Sequence, residues 1–209
     1  MYTPKINSVR GFNFLFASSL LIMFILTINV NSGTVFSVTE TPQVPKNGDA
    51  DDPAIWINES NPGNSLVFGT DKYNGIYTYN LRGEVIHFSN SGNINNIDIR
   101  KTENKSEEQI TLLFGSNRSD NSLSLWIMKD SKINLDLEAN LFKLSEKPSL
   151  KANANMIVYG VCAGRHPHFG DIAFITEDKG SKVQLWSFDG KRLVMLKEFS
   201  NSNATQSEG

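Results

Sequence analysis

The stretch Leu66-Val67-Phe68-Gly69-Thr70-Asp71-Lys72 recurs twice, as Leu112-Leu113-Phe114-Gly115-Ser116-Asn117-Arg118 and as Ile172-Ala173-Phe174-Ile175-Thr176-Glu177-Asp178-Lys179. Each copy is an apolar strand-like run closed by a small hydroxyl residue, then a polar turn and a cation. The third copy carries one extra residue ahead of its lysine. A second apolar run follows each copy: Ile76 to Tyr79, Leu123 to Ile127, Val183 to Phe188. The copies lie about 45 to 60 residues apart, the period of propeller blades. Blades share one axis, so equivalent positions converge at one end of it. Lys72, Arg118 and Lys179 are therefore expected to meet. Converging cations suit a polyanion, most simply phosphate. The competing reading of each cation by itself is an ordinary solvated turn.

Short strands fill the rest of the chain from residue 38 onward. Ala54 to Ile57, Leu66 to Thr70, Ile76 to Tyr79 and Val85 to Phe88 are divided by the turns Asn61-Pro62-Gly63-Asn64, Lys72-Tyr73-Asn74-Gly75 and Leu81-Arg82-Gly83-Glu84. That is one four-stranded blade. A second blade reads from Ile94 to Ile99, Ile110 to Phe114, Leu123 to Met128 and, after a turn at Asp130-Ser131-Lys132, Ile133 to Leu137. A third runs from Met156 to Val161, Ile172 to Ile175, Val183 to Phe188 and, past the Asp189-Gly190 hairpin, Leu193 to Phe199. No amphipathic helix is evident after residue 38, and the fold class is all-β. Closed propellers need at least four blades. About three blades therefore imply part of a longer chain.

Composition narrows the partners. The net charge of -2 gives no sequence-wide attraction to nucleic acid or anionic membrane, so anion binding must be local. The single cysteine, Cys162, excludes an internal disulfide and the spacing of a structural zinc site. At the N-terminus, Lys5 and Arg10 precede an apolar run from Phe14 to Ile28 of about fifteen residues. A spanning helix needs about 20. Residues 1–37 are thus expected to be a secretory signal peptide, with an uncleaved anchor as the alternative. His166-Pro167-His168 lacks the context of a histidine phosphatase and sits in an expected loop.

Asp49-Ala50-Asp51-Asp52-Pro53-Ala54-Ile55-Trp56 resembles the opening signature of the β-propeller phytases. The similarity continues through Gly69-Thr70-Asp71-Lys72, Asn95-Asn96-Ile97-Asp98-Ile99-Arg100, Ser116-Asn117-Arg118-Ser119, Val158-Tyr159-Gly160 and Thr176 to Gly180, and reaches Gln206-Ser207-Glu208-Gly209. It covers residue 38 to the end. The resemblance implies a six-bladed, calcium-dependent propeller that releases phosphate from phytate, an inositol hexakisphosphate. Residues 38–209 would be its N-terminal half. It also implies a secreted enzyme, monomeric when full length, with no nucleic-acid partner and no lipid substrate.

The same resemblance assigns roles. Asp51 and Asp52 match the family's calcium-binding aspartates, and adjacent hard oxygens suit that ion. Lys72, Arg118 and Lys179 match its phosphate-binding cations, and Tyr159 a tyrosine at the substrate cleft. Asn95, Asn96 and Asp98 match a loop of oxygen ligands. Glu208 matches an acidic ligand, and Glu40 an upstream glutamate. Tyr73 stands where many members have a second lysine, which puts one phosphate contact in doubt. Several calcium ions would activate a water to attack phosphorus. Two other readings stand beside this one: a non-catalytic propeller that binds calcium or polyphosphate, and another calcium propeller hydrolase such as a lactonase. The repeated cations argue against the lactonase.

Overall fold

A computed structural model describes residues 37–102 and 108–207. The expected signal peptide, apart from Ser37, and Glu208 lie outside the described residues. Within them, twelve strands form three four-stranded antiparallel sheets, each in simple chain order. The first holds β1 (Ala50–Trp56), β2 (Leu66–Asp71), β3 (Gly75–Asn80) and β4 (Val85–Ser89). The second holds β5 (Ile94–Lys101), β6 (Ile110–Asn117), β7 (Ser122–Lys129) and β8 (Leu150–Asn153). The third holds β9 (Val158–His166), β10 (Gly170–Glu177), β11 (Lys182–Phe188) and β12 (Leu193–Ser200).

Alternation along the strands builds a core on each side of the middle sheet. Leu113 and Trp126 face the first sheet, where they meet Trp56, Leu66, Phe68 and Ile76. Leu112, Phe114, Leu123 and Leu125 face the third, against Val158, Val161, Ala173, Ile175 and Trp186. The period-2 pattern that puts Leu112 and Leu113 on opposite faces is what lets one strand serve two interfaces. The first strand of each sheet lies against the first strand of the next, β1 on β5 and β5 on β9. This is the arrangement of blades about a common axis, and the all-β, partial-propeller expectation holds.

One element differs. Ile133 to Leu137 is not a strand but part of helix α1 (Asp130–Glu138). Ile133, Leu135 and Leu137 alternate as in a strand, but Ile133 is buried while Leu135 is 65% exposed. Ile133 and Leu137 lie on one helical face, and Lys132 pairs with Asp136 one turn on at 2.9 Å. Asp130 in the first turn favours the helix N-terminus. The fourth strand of that blade is supplied instead by Leu150–Asn153, which pairs with Ser122–Leu125 only.

Candidate functional site

The inner strand of every sheet carries a bulge at the same place. Ala50 pairs with Asp71 and Pro53 with Gly69, so three steps on β1 match two on β2. The same mismatch separates Ile94 from Ile97 on β5 and Val158 from Val161 on β9. The residues thrown out of register are Asp51-Asp52, Asn95-Asn96 and Tyr159-Gly160. A bulge bends its strand and re-aims side chains. Here it does so once per blade, at the same end of each.

The small hydroxyl that closes each repeat holds these bulges. Thr70 Oγ1 accepts the N–H of Asp52 at 2.9 Å, Ser116 Oγ that of Asn96 at 3.1 Å, and Thr176 Oγ1 that of Gly160 at 2.9 Å. The first two hydroxyls then donate to the bulge carbonyl of the following blade, and the third to the chain beyond the last strand. Thr70 reaches Asn95 O at 3.0 Å, and Ser116 reaches Tyr159 O. Thr176 reaches Ser207 O. One donor and one of two acceptor sites are used in each case, which a serine or threonine alone can do in so little space. The three hydroxyl residues are buried.

The cation turns follow. Asp71, fully buried, accepts the N–H groups of Asp49 and Tyr73 at 3.0 and 3.2 Å and Nδ2 of Asn74 at 2.9 Å, which fixes the turn bearing Lys72. Asn117 Oδ1 accepts the N–H of Ser119 at 2.9 Å and does the same beside Arg118. Lys72 and Arg118 line one pocket of about 400 Å³ with Tyr73, Asn93, Asn121 and Ile157. The Lys72 ammonium lies 3.2 Å from Asp51 and 4.0 Å from Asp49. Partial burial alone would lower its pKa, but the Asp51 carboxylate bonded to it and the charge of Asp49 leave it raised. The Arg118 guanidinium stands 5.9 Å above the Tyr159 ring, 3.4 Å from Asn95 Oδ1 and 3.1 Å from Asp178.

Lys179 is placed differently from Lys72 and Arg118. The N–H groups of Lys72, Arg118 and Asp178 donate to the carbonyls of Asp49, Asn93 and Ile157, each just ahead of an inner strand. The third station in register is therefore Asp178. Lys179 follows it in an exposed turn with φ of 51°, so the repeat does not bring it to the station of the other two cations. The insertion visible in the sequence is the reason.

Asp52 is half-buried. Burial raises its pKa, and the charges of Asp51 and Asp98 add to this, although the Ile97 N–H and Asn96 side chain oppose it. Its Oδ2 accepts the N–H of Ile97 at 2.9 Å. Asp98 spends its oxygens on the backbone N–H groups of Ile99 and Ala163, both at 2.7 Å. Glu40 is exposed, with its carbonyl against Gly83 in the β3–β4 turn, at the end of the sheet away from Lys72. The structure thus gathers Asp51, Asp52, Asn96, Lys72, Arg118 and Tyr159, and leaves Glu40 apart.

Among the described residues no group of three or more His, Cys, Asp or Glu side chains could hold a metal ion. The donors present do fit calcium in kind. Asp51, Asp52 and Asn96 are hard oxygen ligands, and the like charges crowded at Asp52 create a demand for a cation. By themselves they fall short of the six to eight oxygens that calcium takes.

The phytase family profile matches residues 12–208 of the chain. A segment of 97 residues is 36% identical to the 3-phytase of Bacillus subtilis (strain 168), an alignment covering 45% of this chain and 25% of that relative. The matched segment thus spans a quarter of the relative's length.

Proposed function

The chain belongs to the phytase family, and from that premise we propose that it is part of a secreted, calcium-dependent phosphomonoesterase that releases phosphate from phytate. The observation that carries the proposal is the shared pocket of Lys72 and Arg118 beside Asp51. Two cations from successive blades there suit a substrate with several phosphates. The Arg118 fork binds two oxygens of one phosphate, while Lys72 acts as a point charge on another. The Tyr159 ring, 5.9 Å from the Arg118 guanidinium, lies within cation–π reach of it. Asp51, Asp52 and Asn96 would hold calcium, with Asp98 and Glu208 as further ligands by family resemblance; Lys179 would be a peripheral phosphate contact. Calcium, when bound, would supply charge neutralisation and a more acidic water for attack at phosphorus. The apolar run Phe14 to Ile28 supports secretion. Among the described residues no helix is long and apolar enough to cross a membrane.

The test is phosphate release from phytate by the complete enzyme with millimolar calcium, then with a chelator, then with calcium restored. Release that follows calcium and falls with Arg118→Ala is expected. Release indifferent to both refutes the reading. The second reading, a propeller that binds polyphosphate without turnover, draws on the incomplete metal ligand set. By the same reasoning residues 38–209 alone should bind phytate but not hydrolyse it. Turnover by that piece would show that its carboxylates suffice.

A further inference from the structure

We propose that Asp178 is a positioning residue that occupies Arg118 as an internal anion and so sets which external anions the pocket accepts. The inference rests on the phosphate-binding reading of Arg118. Three observations converge on it. The first is register: Asp178 stands where the two preceding blades carry Lys72 and Arg118, as the matching N–H bonds to Asp49, Asn93 and Ile157 show. An acid has taken a cation's station, with the lysine displaced by one residue.

The second is the contact itself. Asp178 Oδ2 lies 3.1 Å from Arg118 across the boundary between the second and third sheets. The Asp178 side chain is 12% exposed and Arg118 36%, so the acid is the fixed partner and the guanidinium the one open to solvent. The third is how little else holds Arg118: one amide oxygen at 3.4 Å and a ring at 5.9 Å. A guanidinium has five donors in a planar fork. One is spent on Asp178 and one reaches Asn95 Oδ1, which leaves three for a ligand in the pocket that Arg118 lines.

The consequence is selectivity by charge. Lys72 is balanced by Asp51 and Asp49 in the same way. An anion entering this pocket must compete with carboxylates already in place and is repelled by them. Repulsion scales with charge, so each internal acid weakens a doubly charged phosphate more than a chloride or a carboxylate and trims the advantage that two cations give the dianion.

Inorganic phosphate binding, measured calorimetrically on the whole protein without calcium, tests this. Asp178→Asn keeps the shape and the backbone N–H bond to Ile157, and should tighten phosphate about fivefold, the scale of one partly screened charge pair. It should also tighten acetate, but by less, widening the preference for phosphate. Asp178→Glu should restore the wild-type values, and in an Arg118→Ala background Asp178→Asn should gain nothing. An unchanged or weaker affinity in Asp178→Asn, or in Asp178→Ser should the first variant melt early, overturns the inference. So does a gain that persists without Arg118. If Arg118→Ala leaves wild-type phosphate affinity intact, the phosphate-binding reading fails first and this inference with it.

Discussion

Two buried threonines in one sheet offer the same chemical change with opposite expected results. Thr70 is 2% exposed, and its hydroxyl accepts from Asp52 N at 2.9 Å and donates to Asn95 O at 3.0 Å. Thr78, on the neighbouring strand, is fully buried, and its hydroxyl has no hydrogen-bond partner among the described residues. Threonine to valine replaces a hydroxyl by a methyl of similar size. At Thr70 it strands the Asp52 N–H, at about 1–3 kcal/mol, and removes one of the bonds open to the Asn95 carbonyl. A loss of about 2–3 kcal/mol follows. At Thr78 the change removes a desolvated hydroxyl and should stabilise by about 1 kcal/mol. With a urea dependence of about 2 kcal/mol per molar, the midpoints should move about 1 M down and about 0.5 M up. Equilibrium urea unfolding of the two variants and the parent reads this directly. Midpoints that move together, in either direction, would refute the relay as the source of stability.

Three further outcomes follow from the same geometry. Asp52→Asn keeps an acceptor for the Ile97 N–H but removes the crowded charge. Because the folded pKa of Asp52 is raised, its ionisation costs stability as pH rises from the ordinary aspartate value of 3.8 through the folded value. The calcium-free variant should therefore be more stable than the parent near neutral pH and equal to it in acid, while its calcium affinity falls; thermal melts at pH 3 and pH 7 and calcium titration check both. Arg118→Ala should cut phytate turnover in the complete enzyme by about 10- to 150-fold, the worth of a charged hydrogen bond. Arg100→Ala should instead cost about 1 kcal/mol of stability, since its Nε donates to Ala163 O at 3.1 Å; equal kinetic effects would remove Arg118 from the site. Gly75→Ala should fail to fold or lose several kcal/mol, because φ is 143° and a Cβ would lie 2.0 Å from Ser89 O; a parent-like melting temperature would contradict this.

The sequence made the strands legible because period-2 alternation bounded by Gly, Asn and Asp turns has few other meanings. It misled at Ile133, Leu135 and Leu137, where the same alternation fits a helix whose middle leucine faces water. The short strand Leu150–Asn153 went unseen because its four residues mix apolar and polar types, and the Pro148-Ser149 turn signal in front of it had no apolar run behind it to bound. Most of the site was legible from the repeat, including the hydroxyl in every copy, but not what the hydroxyl does. That depends on a bulge, and register is invisible until strands are paired. The aspartate at the third cation station was hidden for the same reason: only the backbone bonds say which residue of Glu177-Asp178-Lys179 is equivalent to Lys72.

The hydroxyl relay also has a direction. The first and second sheets each offer a hydroxyl and a carboxylate forward, and the next sheet receives them on its inner strand: Asn95 and Ile97 from the first sheet, Tyr159 and Ala163 from the second. In the language of assemblies, the blades behave as pseudo-subunits joined head to tail through heterologous contacts, the kind that close into rings when the rotation permits. An open edge strand is ordinarily a template for aggregation. Here it is a socket for the hydroxyl of the preceding blade. The hydroxyl half of the contact is common to both junctions, while the carboxylate half is particular to each, coming from Asp52 inside its bulge and from Asp98 beyond its bulge, so a blade exchanged between the two places would carry over only the hydroxyl half.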